Sequence, residues 1–290
     1  MLSILIPTYN YDCYDLVYEL HRQATELNIK FEIIVADDCS QIYKEKNKLI
    51  QNFSYTTYIE LQENIGRSKI RNFLADNAIY PYLLFMDCDA EVYRKDYISK
   101  YIKYCKPNCC IIGGTSYDEL ENNPKYSLRL KYGRQREANN NYLKRFVPFN
   151  FLIHKDLFNK IRFNETILGY GHEDSLFGAQ LKQHTNYTNI DNPLIHKGLD
   201  ENNIFLQKTE TATKNLWILT QNNKYKYLIQ ESSLLQAYYK LKKLHIVNFI
   251  NILFNITRPI LKKQLMSKNP SLFLFDCYKI GYLCHISNKI

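Results

Sequence analysis

The sequence has no apolar run of membrane-spanning length, no internal repeat and no low-complexity tract within its 290 residues. A transmembrane helix, a repeat array and a long flexible linker are therefore not expected. Neither a basic n-region nor an A-x-A-like cleavage site stands at the N-terminus, so we also expect no signal peptide. A chain of this length can bury a substantial core in one domain and still carry an appendage.

Clustered cysteines are also lacking, although the chain contains eight cysteines. Cys105, Cys109 and Cys110 have no second group of cysteines or histidines at metal-binding spacing, so a zinc site is not expected. Scattered cysteines in a chain without a secretion signal favour reduced thiols, and we therefore expect a cytosolic protein.

Charge is distributed unevenly along the chain. Residues 1–200 carry 25 basic and 25 acidic side chains, whereas residues 201–290 carry 13 basic and 4 acidic ones. Between 240 and 265 apolar residues recur near helical spacing, and lysines flank them. Such a helix either lies on an anionic membrane surface or packs on the rest of the chain, and both alternatives stay open. The basic residues form no recognised nucleic-acid module, so no nucleic acid is expected as a partner.

Two buried strands are predicted near the N-terminus. The apolar run from Leu2 stops at Pro7, which cannot donate to a central ladder, and a second run spans residues 31–36. Residues 12–29 between them have the apolar periodicity of a helix. A strand, a helix and a strand with polar residues at both strand ends are typical of a parallel, nucleotide-binding sheet, so we predict an α/β fold.

Asp87, Cys88 and Asp89 follow a third apolar run at residues 82–86. In α/β proteins ligands bind at the carboxyl ends of such strands. In an extended segment, side chains at i and i+2 point to the same side, so both carboxylates can face one ligand. Carboxylate oxygens suit Mg²⁺ or Mn²⁺ carrying a diphosphate, whereas the plainer alternative is a polar turn.

Residues 63–72 combine a glycine with three basic side chains. Gly66 permits a tight turn, and a helix that starts after it points free N–H groups and a positive end outward. Arg67, Lys69 and Arg71 add positive charge. A phosphate can dock on such a surface, although a solvated first helical turn explains these residues equally well.

Four blocks, at residues 3–10, 32–40, 63–72 and 83–91, together resemble the family 2 glycosyltransferases, which have the GT-A fold. The resemblance covers roughly the first 200 residues, and the four blocks in this order are far more specific than any one of them. One departure is Cys39, which stands where the family usually has glycine and makes the turn less permissive.

The resemblance implies a site for a nucleotide-sugar donor and a divalent metal. The donor-binding residues would be Pro7, Thr8, Tyr9, Asp38, Gly66, Arg71, Asp87 and Cys88. Among these, Asp38 would accept a hydrogen bond from the imide of a uracil-type base, and Arg71 would reach the nucleotide or the diphosphate. Asp89 would hold Mn²⁺ or Mg²⁺, and Asp87 would support the metal or the ribose.

A second motif, Gly-Tyr-Gly-His-Glu-Asp, ends at Asp174. Helix capping explains its acidic residues but not its two glycines, which allow the backbone to approach a ligand closely. The motif is similar to the G-W-G-x-E-D element of inverting galactosyl and N-acetylhexosaminyl transferases. That similarity implies that Asp174 is the catalytic base and that Glu173 binds the acceptor. Further acceptor contacts would come from Tyr170, Gly171 and His172.

His196 follows a short apolar segment that begins at Leu194. An isolated histidine is more often a structural residue than a ligand. In related transferases, however, a histidine in this position completes the metal site, and neutral imidazole suits Mn²⁺ better than Mg²⁺. The resemblance therefore implies that His196 is a third ligand beside Asp89 and Asp87.

We therefore predict a GT-A fold, a Rossmann-like nucleotide-binding mixed sheet flanked by helices, with a C-terminal helical extension. Residues 1–200 would form the catalytic domain, with a nucleotide half to about residue 90 and an acceptor half from about residue 91, and residues 201–290 the extension. Asp174 would deprotonate an acceptor hydroxyl that attacks the anomeric carbon, with inversion. The polar stretch 117–141 would be a loop over the site.

The expected enzyme is a hexosyl- or N-acetylhexosaminyltransferase that uses a UDP-sugar. Its acceptor would be a glycan or a lipid-linked saccharide of surface polysaccharide biosynthesis, at the inner face of the cell membrane. Two rival functions stay open. A sugar nucleotidyltransferase should carry a glycine-rich basic loop directly after the first strand, and residues 7–11 lack one. A catalytically inactive sugar-nucleotide-binding subunit is disfavoured by the intact Asp87, Asp89 and Asp174.

Overall fold

The computed structural model describes residues 1–118, 123–138, 146–166 and 171–288. These residues form two compact units. The first unit contains residues 1–118, 137–138, 146–166 and 173–198, and the second contains residues 123–136, 171–172 and 199–288. The predicted boundary near residue 200 lies close to the end of the first unit. Residues 123–136, which the sequence assigns to the acceptor half, belong instead to the second unit.

The first unit is built around a mixed β-sheet. The strands are β1 (Leu2–Thr8), β2 (Phe31–Asp37), β3 (Thr56–Glu60), β4 (Tyr82–Met86), β5 (Ala90–Glu91), β6 (Cys110–Ile112), β7 (Thr115–Ser116), β8 (Asn150–His154), β9 (Thr188–Asn189) and β10 (Leu194–His196). The main sheet has the order β3-β2-β1-β4-β8-β6-β9, and a small sheet has the order β5-β10-β7. Strands β1 to β4 are parallel, whereas β8 runs antiparallel to β4 and β6.

Helices belong to both units. They are α1 (Tyr14–Glu26), α2 (Lys44–Lys48), α3 (Arg67–Asn77), α4 (Tyr97–Ile102), α5 (Ser127–Tyr132), α6 (Lys155–Ile161), α7 (Glu173–His184), α8 (Asn202–Gln221), α9 (Leu228–Glu231), α10 (Ser233–Lys243), α11 (Val247–Leu265) and α12 (Leu272–Ser287). Helix α1 matches the predicted periodic segment, and α3 begins directly after Gly66 as expected.

Apolar clusters cover both faces of the main sheet. Along β1, Ile4 packs in a cluster that includes Leu20 of α1, whereas Leu5 packs in a second cluster that includes Leu74 of α3. Successive side chains of a strand point to opposite faces, so a continuous apolar run is what a doubly covered parallel strand requires. This arrangement places the carboxyl ends of β1, β2 and β4 at one edge of the sheet.

Strand β1 continues one residue past its predicted end at Pro7. Pro7 pairs in register with Ala36 of β2, and the strand ends at Thr8. The Thr8 carbonyl oxygen accepts from the Asp38 amide and therefore points toward β2. Because the backbone groups of successive strand residues point to opposite sides, those of Pro7 point toward β4. Pairing with β4 ends at Leu5, so the missing N–H of Pro7 removes no ladder bond there.

The second unit is helical and has its own apolar cluster. Its fully or nearly buried members include Leu128, Phe205, Leu206, Phe254, Leu265, Phe275 and Tyr278. The expectation of an irregular loop over residues 117–141 is wrong for residues 124–137. Pro124–Tyr126 form a 3-10 turn, α5 follows, and Gly133–Glu137 form a π-helical turn. Leu128 stabilises this short helix by packing into the cluster, a tertiary contact that local periodicity does not reveal. Residues 119–122 and 139–141 lie outside the described residues.

The predicted C-terminal helical extension is confirmed, but the segment 240–265 is broken. Helices α10 and α11 are separated at residues 244–246, where His245 has a φ of 58°. Among the described residues, no single helix is long and apolar enough to cross a membrane. Helices α10 and α11 together meet those criteria by length and composition, but the pair is bent by 118°.

Candidate functional site

The candidate site lies at the edge of the sheet where β1, β2 and β4 end. Thr8 is buried after Pro7, and its hydroxyl donates to the Tyr11 carbonyl oxygen at 3.1 Å. Tyr9 follows and is about half exposed. Burial and the nearby charge of Asp89 raise the pKa of Tyr11 to about 12, so its phenol stays protonated at neutral pH. The predicted nucleoside-binding segment therefore combines a fixed Thr8 with an accessible ring at Tyr9.

Asp37 and Cys39 shape the turn after β2. Asp37 is fully buried, and its carboxylate accepts from the Ser40 amide at 2.7 Å and from the Tyr58 hydroxyl at 2.5 Å. Cys39 has a φ of 64°, a left-handed conformation that suits glycine better than cysteine. The turn thus keeps a glycine-like backbone even though cysteine occupies the position.

Asp38 has a structural role that the sequence did not reveal. Its two carboxylate oxygens accept from the backbone amides of Ile65 at 2.7 Å and Gly66 at 3.0 Å. Burial raises the pKa of Asp38, and these two hydrogen bonds act in the opposite direction. Asp38 therefore holds the end of β2 to the turn that precedes α3. Its predicted contact with the base stays a prediction.

The first turn of α3 presents backbone N–H groups and a buried arginine. Gly66 precedes it with a φ of 83°, and no side chain among the described residues caps this helix start. Free N–H groups at a helix N-terminus favour anions. Arg71 is 2% exposed, and its Nη2 lies 2.5 Å from Asp87 Oδ1. Its guanidinium also lies over the Phe163 ring, 5.6 Å from the centroid, so Arg71 is held in one position.

Arg67 contacts one residue predicted to bind the donor and one predicted to bind the acceptor. Its Nε lies 3.1 Å from Glu173 Oε1, and its Nη2 lies 3.7 Å from Asp87 Oδ2. Glu173 is 5% exposed, and its second oxygen, Oε2, is buried without a hydrogen-bond partner among the described residues. A buried carboxylate oxygen normally has a partner, so this atom is suited to accept from a bound hydroxyl.

The two aspartates of the D-x-D segment have different partners. Strand β4 ends at Met86, and the segment forms a turn rather than an extended strand, so the argument that i and i+2 face one ligand does not hold. Asp87 contacts the arginines of α3, whereas Asp89 contacts His196. Cys88 lies between them, and burial raises the pKa of its thiol well above the usual range, so it is neutral.

Asp89 and His196 form a hydrogen-bonded pair at this edge of the sheet. Asp89 Oδ2 lies 3.0 Å from His196 Nε2. The rings of Tyr117 and Phe149 approach the imidazole edge-on, with centroids 5.6 Å and 4.9 Å away, and fix its orientation. Burial opposes ionisation of Asp89, but the hydrogen bond to His196 and the nearby Arg67 lower the pKa of Asp89 below its usual value.

The donor set fits a divalent cation with few protein ligands. No group of three or more His, Cys, Asp or Glu side chains within the described ranges is arranged to hold a metal. Asp89 Oδ2 and His196 Nε2 lie 3.0 Å apart as a hydrogen-bonded pair. A carboxylate oxygen beside an imidazole nitrogen is a pair of donor atoms that suits Mn²⁺. Asp87 contacts Arg71 and Arg67 instead of His196, and its predicted support of the metal or the ribose stays a prediction.

Gly198 is a site residue that sequence reasoning missed. A Cβ at this position would lie 2.3 Å from Asp89 Oδ2 and 2.6 Å from Asp89 Cβ. The neighbouring Lys197 amide also donates to the Asp89 carbonyl oxygen at 2.9 Å. The segment after His196 therefore packs directly against the aspartate. A glycine two residues after a candidate ligand was the signal in the sequence.

We expect Gly198→Ala to weaken metal-dependent nucleotide binding by about tenfold, because the new methyl group must displace the Asp89 carboxylate. Calorimetric titration of nucleotide with and without Mn²⁺ measures the effect. Lys197→Ala is the matched control, since its side chain is partly exposed and pairs with Glu91 and Asp118 instead. Unchanged Mn²⁺-dependent affinity in Gly198→Ala would contradict this packing role.

The acidic pair opens α7, as the motif predicted. Asp174 is partly exposed, and its Oδ1 accepts from the Ser175 amide at 2.7 Å. Glu173 is buried and contacts Arg67. The two carboxylates thus differ in environment, since one is solvated and accessible and the other is buried and ion-paired. This difference fits the predicted separation of a base from a binding residue.

Gly171 and His172 directly precede α7 in the chain and pack in the second unit. Gly171 has a φ of 102°, and a Cβ there would lie 2.6 Å from Ala212 Cβ, so only glycine fits. His172 also has a positive φ, 73°. Tyr170, the predicted sugar-stacking residue, lies outside the described residues.

Comparison with known proteins supports the sequence-based interpretation. Residues 3–162 match a family model described as Glycosyl transferase family 2. Two uncharacterised glycosyltransferases, from Rickettsia felis and Rickettsia conorii, are each 28% identical to this chain over 126 residues. That match covers 43% of this chain and 20% of each relative, so the chain spans about a fifth of the length of these curated relatives.

Solved structures share the fold. The mannosyltransferase PcManGT from Pyrobaculum calidifontis, in complex with GDP-Man and Mn²⁺, has a TM-score of 0.55 at 14% identity, covering 77% of this chain and 65% of its own. S. aureus TarS 1–349, in complex with UDP-GlcNAc, has a TM-score of 0.54 at 16% identity, covering 99% and 91%. These similarities confirm the predicted GT-A class of mixed sheet and flanking helices with a helical C-terminal region.

Proposed function

Because the chain belongs to glycosyl transferase family 2, we propose that it transfers a hexosyl or N-acetylhexosaminyl group from a UDP-sugar to an acceptor hydroxyl. The observation that carries this proposal is Arg67, which contacts Asp87 among the predicted donor residues and Glu173 among the predicted acceptor residues. The acceptor class is a glycan or lipid-linked saccharide of surface polysaccharide biosynthesis. A cytoplasmic enzyme at the inner face of the membrane is part of the same proposal.

Donor binding is assigned to the strand-end edge. The free N–H groups at the start of α3 attract the diphosphate, and Arg71 and Arg67 supply positive charge beside them. Pro7, Thr8 and Tyr9 line the nucleoside, with Asp38 facing the base. The ligands of the two solved structures, GDP-Man in one and UDP-GlcNAc in the other, support a nucleotide-sugar as the donor class.

Metal binding is assigned to Asp89 and His196. A carboxylate oxygen and an imidazole nitrogen form a donor set that suits Mn²⁺. When bound, the cation would supply Lewis-acid stabilisation of negative charge on the nucleoside diphosphate. Asp87 serves this site by orienting Arg71 and Arg67, since its carboxylate contacts both guanidinium groups.

The acceptor chemistry is assigned to the start of α7. The partly exposed Asp174 takes the proton of the acceptor hydroxyl as that oxygen attacks the anomeric carbon of the donor sugar. The bond to the diphosphate oxygen breaks in the same displacement, so the anomeric configuration inverts. Glu173 orients the acceptor through its unpaired Oε2 while Arg67 holds Oε1. Tyr170, Gly171 and His172 complete the acceptor contacts.

A screen of nucleotide-sugars by thermal shift tests the proposed function. A ligand present at about 100 times its Kd stabilises the native state by about 2.7 kcal/mol, which corresponds to roughly 4 °C for a protein of this size. We expect UDP-sugars to produce this shift with Mn²⁺ and a smaller one without it. The stabilising donor should then release UDP when a panel of saccharide acceptors is added.

Each alternative has a distinct outcome in this test. A nucleotidyltransferase would release pyrophosphate from a nucleoside triphosphate and a sugar phosphate. An inactive binding subunit would show the thermal shift without release of UDP under any acceptor condition. Stabilisation by GDP-sugars alone would keep the transferase assignment and overturn the choice of UDP.

A further inference from the structure

One side of α11 carries exposed apolar residues in a continuous stripe, which we name the α11 apolar face. The exposed fractions of its members are 64% for Phe249, 60% for Ile252, 45% for Leu253, 69% for Ile256 and 71% for Ile260. These positions follow the spacing of neighbours on one helical face. Contiguous exposed apolar surface of this kind marks an interaction site.

The opposite side of α11 is already packed, so the exposed face does not belong to the core of the second unit. Phe254 is buried against α12, where a Cβ at Gly281 would lie 2.4 Å from its ring. Arg258 donates to Glu210 at 2.9 Å, and Leu265 is fully buried. The helix is therefore fixed by one face while the other presents apolar side chains outward.

The segment that contains α10 and α11 carries basic but no acidic side chains. No aspartate or glutamate lies between Glu231 and Asp276. Exposed lysines stand at both ends of the face, and they are Lys240, Lys242, Lys243, Lys263 and Lys268. Lys262 lies 3.6 Å from Glu210, so it and Arg258 are not counted in this set. Basic side chains at both ends of an apolar stripe complement an anionic surface.

We infer that the α11 apolar face docks on an anionic lipid membrane, with the helix in the plane of the interface. The 19-residue helix is about 28 Å long, and its apolar side chains enter the acyl boundary while the terminal lysines contact lipid phosphates. A second copy of the chain is a poorer occupant, because paired faces would bring lysines together without acidic partners on these helices.

The docking surface assigns specific residues to the membrane location in the proposed function, and its test does not depend on sugar transfer. The assignment of a lipid-linked acceptor depends on the proposed transfer reaction. Vesicle binding, in contrast, is measured without donor, acceptor or metal. Failure of transfer and failure of docking are therefore separate results.

Co-sedimentation of the full chain with vesicles tests the inference. We expect binding to phosphatidylcholine vesicles that contain phosphatidylglycerol, weak binding to phosphatidylcholine alone, and loss of binding at high salt. Ile256→Glu should lower the partition coefficient by at least about tenfold, because it removes an inserted apolar group and adds a negative charge. Replacing Lys240, Lys242 and Lys243 together by glutamine should reduce the preference for phosphatidylglycerol to the part that Lys263 and Lys268 supply.

Ile79→Glu is the matched control, since Ile79 lies in the first unit and is 72% exposed against 69% for Ile256. It should bind vesicles like the unaltered chain. Light scattering after gel filtration tests the rival occupant. A dimer that Ile256→Glu dissociates, without vesicle binding by the unaltered chain, would assign the face to self-association and overturn the inference. Equal vesicle binding by the Ile256 and Ile79 variants would overturn it as well.

Discussion

Replacing Asp174 with asparagine should lower the rate of sugar transfer by about 10²–10⁴-fold, because asparagine cannot take the proton of the acceptor hydroxyl. Nucleotide-sugar affinity should change little, since the residues assigned to the donor lie at the strand-end edge. The fold should also be kept, because the asparagine side-chain oxygen can still accept from the Ser175 amide. Initial-rate transfer assays and calorimetric titration of the donor measure the two quantities.

Asp156→Asn is the control for this variant, because it makes the same change in the first turn of α6. It should transfer sugar at the normal rate. Near-normal transfer by Asp174→Asn would move the role of the base to Glu173 or His172. Loss of donor binding would instead place Asp174 in the donor site and contradict the proposed division of roles.

Chelation of divalent metal should abolish turnover, and Asp89→Ala should weaken nucleotide binding by about 10²-fold or more only when Mn²⁺ is present. We expect this dependence on Mn²⁺ because Asp89 and His196 are the two adjacent candidate metal ligands at this edge of the sheet. The variant also removes the partner that the imidazole contacts, so His196→Ala should reproduce the effect. Titration of UDP with and without Mn²⁺ measures both variants.

Asp191→Ala serves as the control for the metal experiment, since Asp191 is exposed and contacts Arg94 at the protein surface. It should bind UDP with the same dependence on Mn²⁺ as the unaltered chain. Equal nucleotide affinity with and without Mn²⁺ in the unaltered chain would refute the metal assignment. If UDP affinity still depended on Mn²⁺ in His196→Ala but not in Asp89→Ala, Asp89 would be a metal ligand and His196 would not.

The strands at this edge could be predicted from the sequence because each one has a recognisable pattern within a few consecutive residues. Each of β1, β2 and β4 is a short apolar run ended by polar residues, and burial on both faces demands that pattern. The family resemblance then predicted by position that Arg71 contacts the donor and that Asp89 holds the metal. The helical segment 124–137 was missed because it has too few periodic apolar residues to be distinguished from a loop.

Partner choice within the site could not be read from the sequence. Asp87 and Asp89 are two residues apart, yet one pairs with arginines of α3 and the other with His196. Asp38 looked like a ligand contact, but it also holds the backbone of the Gly66 turn. These distinctions depend on distances between segments that are far apart in the chain. Local secondary-structure propensity carries no information about such distances.

The sequence by itself determined the class of sheet, the family and the residue types at the strand ends, because apolar runs and motif spacing specify them locally. It also determined that the C-terminal segment is basic and helical, but it left open which side of that helix is buried. Only the tertiary structure decided this, by packing Phe254 and Leu265 inward and leaving Ile256 and Ile260 outward. Both sides of the helix carry apolar residues, so its burial is decided by which side meets α12.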